Sequence, residues 1–187
     1  MNILIAGVGG QGSLLASKIL GQLYINRGID VKASEVHGMS QRGGGVITYV
    51  RAAKQVAMPL VEEGEADLLI ALEALEALRW QSHVRPGGAI AASWQRIPPI
   101  SVLSGASVYP DVTPASLRDD CKVIVVDAQE LAKQAGSTRT ANVVMLGAVS
   151  PLLDFSEKEW QTALQTLPPK IKEVNEKAFA LGRQASV

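Results

Sequence analysis

The chain has 187 residues, 47% hydrophobic and 19% charged, enough to bury a sizeable core and unlike the composition of a disordered chain. Eighteen basic and eighteen acidic side chains cancel, so no global field draws the protein to nucleic acid or to anionic lipid, and neither partner is expected. Cys121 is the only cysteine, which excludes an internal disulfide, fits a reducing cytoplasm and cannot supply the four thiolates of an iron–sulfur cluster.

Residues 2–6 (NILIA) form a short apolar run that breaks into GVGGQG, followed by SLLASKILGQLYINRG with Leu14, Leu15, Ile19, Leu23 and Tyr24 at helical spacing and Gly28 as the C-terminal stop. Residues 30–35 (DVKASE) read as a second strand. Strand, glycine turn, helix and strand within about 35 residues have the size of a right-handed βαβ unit. An irregular glycine-rich segment, VHGMSQRGGG, precedes a β-branched strand, VITYVRAA, and residues 58–64 connect it to the next element. Residues 66–72 (ADLLIAL) are continuously apolar, as a strand buried on both faces must be.

Residues 73–83 have helical composition, residues 85–88 (RPGG) signal a turn, and residues 89–93 are a further strand. Residues 97–114 are rich in Pro, Ser and Gly and carry no clear element. A buried strand is expected over residues 123–127 and helices over 128–135, 142–153, 157–167 and 170–181, the last two split by Pro168 and Pro169. The alternation predicts an open, mainly parallel Rossmann-like α/β sheet with helices on both faces and C-terminal helices, as a single domain over residues 1–187. Neither a secretory signal nor a membrane-length apolar run occurs in the sequence, and a cytoplasmic location is expected.

The six residues Gly7, Val8, Gly9, Gly10, Gln11 and Gly12 satisfy G-x-G-x-x-G between a strand and a helix, the context in which the motif binds phosphate. Gly7 would allow the tight turn, Gly9 the close approach of a phosphate, and Gly12 the packing of helix on strand; alternatively the glycines serve only a compact turn. A helix N-terminus contributes only about 0.3–1 kcal/mol to an anion, whereas micromolar binding needs about 8 kcal/mol. The loop therefore positions a phosphate and does not by itself identify the ligand.

Glu35 ends the second strand where an acidic residue grips a ribose in NAD enzymes, or it is a solvated or paired carboxylate. Arg42 offers a planar fork for a phosphate, a carboxylate or a partner subunit. His37 is either a proton shuttle or a structural loop histidine, and no Ser, Cys or Asp partner is evident in the sequence. No catalytic residue is assigned. Trp80, Trp94 and Trp160 read as core or interface residues, while in residues 137–142 (STRTAN) Thr140 or Asn142 caps the following apolar helix, or the hydroxyls of the stretch and Arg139 meet a cofactor. His37 and His83 lack metal-ligand spacing, and no metal site is expected. No nucleophile elbow and no Walker lysine motif is present.

ILIAGVGGQGSLLASKIL (residues 3–20) with SEVHGMSQRGGGVITYVR (residues 34–51) resembles the gamma component of the 2-oxoacid:ferredoxin oxidoreductases, and TANVVMLGA (residues 140–148) extends the likeness over nearly the whole chain. The EVHGMSQRGG form and the compact length resemble the small subunits of the indolepyruvate type. The resemblance implies a heteromer that oxidatively decarboxylates an aryl 2-oxoacid to an acyl-CoA and reduces ferredoxin, with thiamine diphosphate and iron–sulfur clusters in the large partner. It implies further that Gly7, Gly9, Gly10, Gln11 and Gly12 contact CoA, while His37, Gln41 and Arg42 lie towards the partner subunit. From the residues alone, Glu35 and Arg42 also stay open as cofactor contacts. A stand-alone NAD(P)-binding Rossmann oxidoreductase and a nucleotide-sensing scaffold are the competing readings.

Overall fold

The computed structural model describes residues 1–38 and 44–185. In chain order the strands are β1 (Asn2–Val8), β2 (Asp30–His37), β3 (Gly45–Ala53), β4 (Ala66–Ala71), β5 (Val84–Ser93) and β6 (Lys122–Val126). The helices are α1 (Ser13–Asn26), α2 (Ala74–Trp80), α3 (Ile100–Leu103), α4 (Ala128–Ala135), α5 (Ala141–Val149), α6 (Glu157–Leu164) and α7 (Pro169–Gln184). No helix among the described residues is long and apolar enough to cross a membrane.

The strands form one sheet in the order β2-β3-β1-β4-β5-β6. β4 pairs parallel with β1, as do β5 with β4 and β6 with β5, whereas β3 is antiparallel to both β1 and β2. Five of the six described strands thus run one way and β3 runs against them. β1 and β2 point the same way across α1, as the βαβ reading requires, but they are not neighbours, because β3 inserts between them. A periodicity argument finds each strand and says nothing of which strand a later one will pair with.

Alternation along the central strands divides the interior in two. Ile3, Ile5, Leu68, Ile70, Ala89 and Ala91 face a large core closed by α1, α4, α5, α6 and α7. Leu4, Ala6, Leu69, Ala71, Ile90 and Ala92 face the opposite side, where Ala77 and Trp80 of α2 pack with Val61 and Leu117. β1 and β4 are covered on both faces, which is why NILIA and ADLLIAL are apolar throughout. Trp160 is buried against Phe179, and Trp80 and Trp94 are partly buried against the second core, so none of the three is a free stacking platform.

The expected turn at residues 85–88 lies inside a strand. Ala66 pairs with Val84 and Leu68 already with Ala89, so β5 runs from Val84 to Ser93 with a bulge that absorbs the extra residues. Gly88 permits it, since a Cβ there would stand 2.6 Å from Val84 Cγ1 and 2.9 Å from the Arg85 carbonyl oxygen. Helix boundaries follow the expected segments closely. The apolar helix stops at Val149, and the rest of the expected segment becomes a 3₁₀ turn, Ser150–Leu152.

Candidate functional site

The chain leaves β1 towards β2 and β3 and comes back to β4 on the other side of β1. Between β1 and β4 the winding therefore reverses, and a crevice opens beyond the carboxyl ends of the strands, where open α/β sheets place their ligands. It holds about 280 Å³ and is lined by Gly10, Gln11, Leu72, Ser93, Gln95, Gln129, Thr138, Arg139, Ala141 and Asn142. Each element delivers a wall: the glycine loop after β1, Leu72 after β4, Ser93 and Gln95 at the end of β5, Gln129 from α4, and the residues opening α5.

The glycine loop is folded on its own partners. Gln11 N–H donates to the Val8 carbonyl at 3.1 Å and Gly9 N–H to the Gly44 carbonyl at 3.0 Å. Gly10 and Gly12 take φ of 98° and 81°, a left-handed region that favours glycine. Gln11 staples the strand ends: its Oε1 accepts from Val8 N–H at 2.7 Å, and its Nε2 donates to the Leu72 carbonyl at 2.8 Å and to Gln95 Oε1 at 3.1 Å. Gln129 Nε2 donates to the same Gln95 oxygen at 2.9 Å. The reason for the glycines is thus partly different from the expected one. A Cβ on Gly7 would lie 2.9 Å from Gln11 Oε1, and one on Gly12 would lie 2.5 Å from Asn142 Nδ2. Gly7 sits within β1 and makes room for Gln11; Gly12 makes room for Asn142, whose Nδ2 donates to the Gly12 carbonyl at 2.9 Å.

The turn between α4 and α5 brings Arg139 to the mouth. Gly136, at φ 115°, ends α4, and Ser137 Oγ accepts from Arg139 N–H at 3.3 Å, while Thr140 Oγ1 donates back to the Ser137 carbonyl at 2.8 Å. Asn142 turns its Oδ1 to its own helix start, accepting from Val143 N–H at 3.0 Å. Ser93 is 1% exposed, and its Oγ has no hydrogen-bond partner.

The predicted residues separate into two groups. Gly10 and Gln11 line the crevice, with Gly9 and Gly12 in the same loop and Gly7 at the end of β1 that leads into it. Glu35 and His37 are not among its lining residues. Glu35 Oε2 accepts from Ser13 Oγ at 2.7 Å and from Thr48 Oγ1 at 2.9 Å, and its Oε1 lies 2.8 Å from His37 Nε2. Its carboxylate is a tie between α1, β2 and β3. Gln41 and Arg42 lie outside the described residues.

Ser93, Gln95 and Gln129 were not singled out by the sequence. The signal available was positional, since Ser93 is the polar residue that ends an apolar strand and strand carboxyl ends are where such sheets bind ligands. On the other sheet face a second polar cluster is also new. Glu73 Oε2 caps α2 through Glu76 N–H at 3.0 Å, and its Oε1 accepts from Ile97 N–H at 2.9 Å and from Tyr109 OH at 2.6 Å. Burial, reinforced by the hydrogen bond to Glu73, pushes the Tyr109 hydroxyl up; burial raises the Glu76 carboxyl as well, although Arg79 Nη1 is 2.6 Å away. This cluster fixes residues 97–109 to α2. Among the described residues no group of three His, Cys, Asp or Glu side chains is placed to hold a metal.

Residues 2–185 match the family model described as pyruvate ferredoxin/flavodoxin oxidoreductase. The chain belongs to this family. The resemblance carried by residues 3–20 and 34–51 is therefore borne out, and the family makes the chain a subunit of a 2-oxoacid:ferredoxin oxidoreductase. The indolepyruvate oxidoreductase subunit IorB of Thermococcus kodakarensis is 41% identical, over 99% of this chain and 95% of that protein. The solved gamma subunit of a keto/oxoacid ferredoxin oxidoreductase from Geobacter sulfurreducens superposes with TM-score 0.74 at 25% identity, covering 99% of this chain and 97% of that one. The fold recurs in the 2-oxoglutarate:ferredoxin oxidoreductase of Magnetococcus marinus, solved with 2-oxoglutarate, coenzyme A and succinyl-CoA bound. There the TM-score is 0.75 at 21% identity, and all of this chain corresponds to 31% of that one. The same fold thus occurs as a separate subunit and inside a longer chain.

Proposed function

We propose that the chain is the small, non-catalytic subunit of a cytoplasmic, heteromeric indolepyruvate-type 2-oxoacid:ferredoxin oxidoreductase. It binds CoA at the crevice beside its glycine loop and docks on a large subunit that carries thiamine diphosphate and the iron–sulfur clusters. The reaction is oxidative decarboxylation of an aryl 2-oxoacid to an acyl-CoA, with electrons passed to ferredoxin. The observation that carries this reading is the full-length 41% likeness to an indolepyruvate oxidoreductase subunit. In agreement with it, the crevice at the strand-order reversal is polar and, among the described residues, is lined by a glutamine network, one arginine and no pairing of nucleophile with base. The single cysteine agrees with clusters held elsewhere.

The stand-alone NAD(P) reading leaned on Glu35 as a ribose ligand. That carboxylate accepts from Ser13 and Thr48 and pairs with His37, and it lies outside the crevice lining, so it gives the reading no support. Co-expression with the large subunit should yield a stable complex that reduces ferredoxin with indolepyruvate in a CoA-dependent reaction, while the isolated chain has no such activity. Turnover by the isolated chain, or a complex indifferent to CoA, would refute the proposal.

A further inference from the structure

We infer that Glu35 is a positioning residue for the glycine loop: its carboxylate fixes Ser13, the first residue of α1, and so sets how the loop passes into the helix. The role rests on the reading of the neighbouring crevice as the CoA site, although Glu35 itself lies outside the lining. Three elements meet at the carboxylate. Oε2 accepts from Ser13 Oγ of α1 at 2.7 Å and from Thr48 Oγ1 of β3 at 2.9 Å, and Oε1 lies 2.8 Å from His37 Nε2 at the end of β2. All three neighbours can donate and a carboxylate only accepts, so the residue type matches its surroundings. The Glu35 side chain is 16% exposed and Thr48 is buried, so water competes little for these bonds.

α1 does not fix its own start. Its N-cap is Gly12, which has no side chain to offer, and its first turn carries no acidic residue. A glycine at this junction leaves the backbone between loop and helix loose. Asn142 removes that freedom from the side of α5, through the Gly12 carbonyl at 2.9 Å, and Glu35 removes it from the side of β2, through Ser13. The carboxylate also brings to the positive end of the helix a negative charge that α1 lacks. The same strand pair holds the loop a second time, because Gly9 N–H donates to the Gly44 carbonyl at 3.0 Å, next to the first residue of β3. Glu35 is thus the side-chain half of a seat whose other half is backbone. Removing it should shift the helix start and spare the sheet, since β2 and β3 pair along their backbones from Asp30 and Ala53 to His37 and Val46.

The test uses the complex co-expressed with the large subunit, assayed for ferredoxin reduction at saturating indolepyruvate while CoA is varied. Glu35→Ala should raise KM for CoA about twofold to fivefold, the size of a helix-terminus contribution, with kcat and KM for indolepyruvate unchanged. Glu35→Gln should recover most of the loss, because its amide oxygen can still accept from both hydroxyls and a neutral His37 can accept from its NH₂. Ser13→Ala should match Glu35→Ala, and the double variant should be no worse than either, because each removes the same link. Ser13→Ala carries the test by itself if Glu35→Ala fails to assemble. An unchanged KM for CoA in the single variants overturns the positioning role and leaves the CoA reading standing. Additive losses in the double variant overturn it too, since the Ser13 hydroxyl would then act independently of Glu35. So does an equal change in both KM values, which a general structural defect would produce. A wild-type complex indifferent to CoA removes the CoA reading, and this role with it.

Discussion

Gly12 shows how a residue in a recognisable motif can serve a purpose that the motif does not state. Its φ of 81° would cost an alanine about 1–2 kcal/mol. An added Cβ would also stand 2.5 Å from Asn142 Nδ2 and break the hydrogen bond that joins α5 to the loop. Gly12→Ala should therefore lose about 2–4 kcal/mol of stability in urea denaturation. Gly10→Ala should lose only about 1–2 kcal/mol, because a Cβ there meets nothing within 4 Å and only the backbone is strained. Equal losses would mean that the Asn142 contact is unimportant. The pattern G-x-G-x-x-G was legible in the sequence as a turn between strand and helix. Its occupants were not, because Asn142 is 130 residues away and Gln11 folds back over Gly7 only once Leu72 and Gln95 are in place.

At the scale of elements, α5 and α7 approach closely enough that backbone meets backbone. A Cβ on Gly147 would run into the carbonyl oxygen of Phe179, and one on Gly182 into that of Val144. Gly182→Ala must push the helices apart and should cost about 3 kcal/mol or more in denaturant melts. Gly21→Ala in α1 is the control, since nothing lies within 4 Å of its added Cβ. There a better helix former should add up to about 1 kcal/mol. A destabilising Gly21→Ala would show that helix glycines are needed for reasons other than contact. Most elements could be read locally. Apolar runs marked β1, β4 and β6, Ser156 and Glu159 form the capping box of α6, and Gly28 lies just beyond the C-cap of α1. β5 could not be read whole, because Arg85-Pro86-Gly87-Gly88 carries a turn signal, and only pairing with β4 turns it into a bulge.

At the scale of the whole molecule, an ion pair joins distant segments. Arg27 Nε and Nη2 donate to Glu159 Oε1 and Oε2 at 2.6 and 3.1 Å, joining the end of α1 to α6, and the guanidinium lies 4.2 Å from the centre of the Phe155 ring. The Arg27 hydrogen bonds, followed by those from Ser156, hold the Glu159 carboxyl at about 2, below its ordinary 4.5. A depressed carboxyl stabilises the fold above the ordinary value, and the benefit disappears as the pH falls through the folded one. The stability difference between wild type and Glu159→Gln should therefore be constant near neutrality, shrink between about pH 4.5 and 2, and vanish below. A difference unchanged at pH 2 would exclude the ion pair as its source.

Residue order alone determined that this chain would be an α/β protein with a buried parallel sheet centre, a G-x-G-x-x-G turn after its first strand and a single cysteine, too few for a cluster of its own. Those properties depend on periodicity, turn chemistry and composition, which are local. The tertiary structure decided what long-range pairing decides. It inserted β3 between β1 and β2, drew Glu35 into a tie with Ser13, Thr48 and His37, and gathered Ser93, Gln95, Gln129 and Arg139 around Gln11. Strand order and side-chain convergence follow from which surfaces bury best against one another, and no short stretch of sequence carries that information.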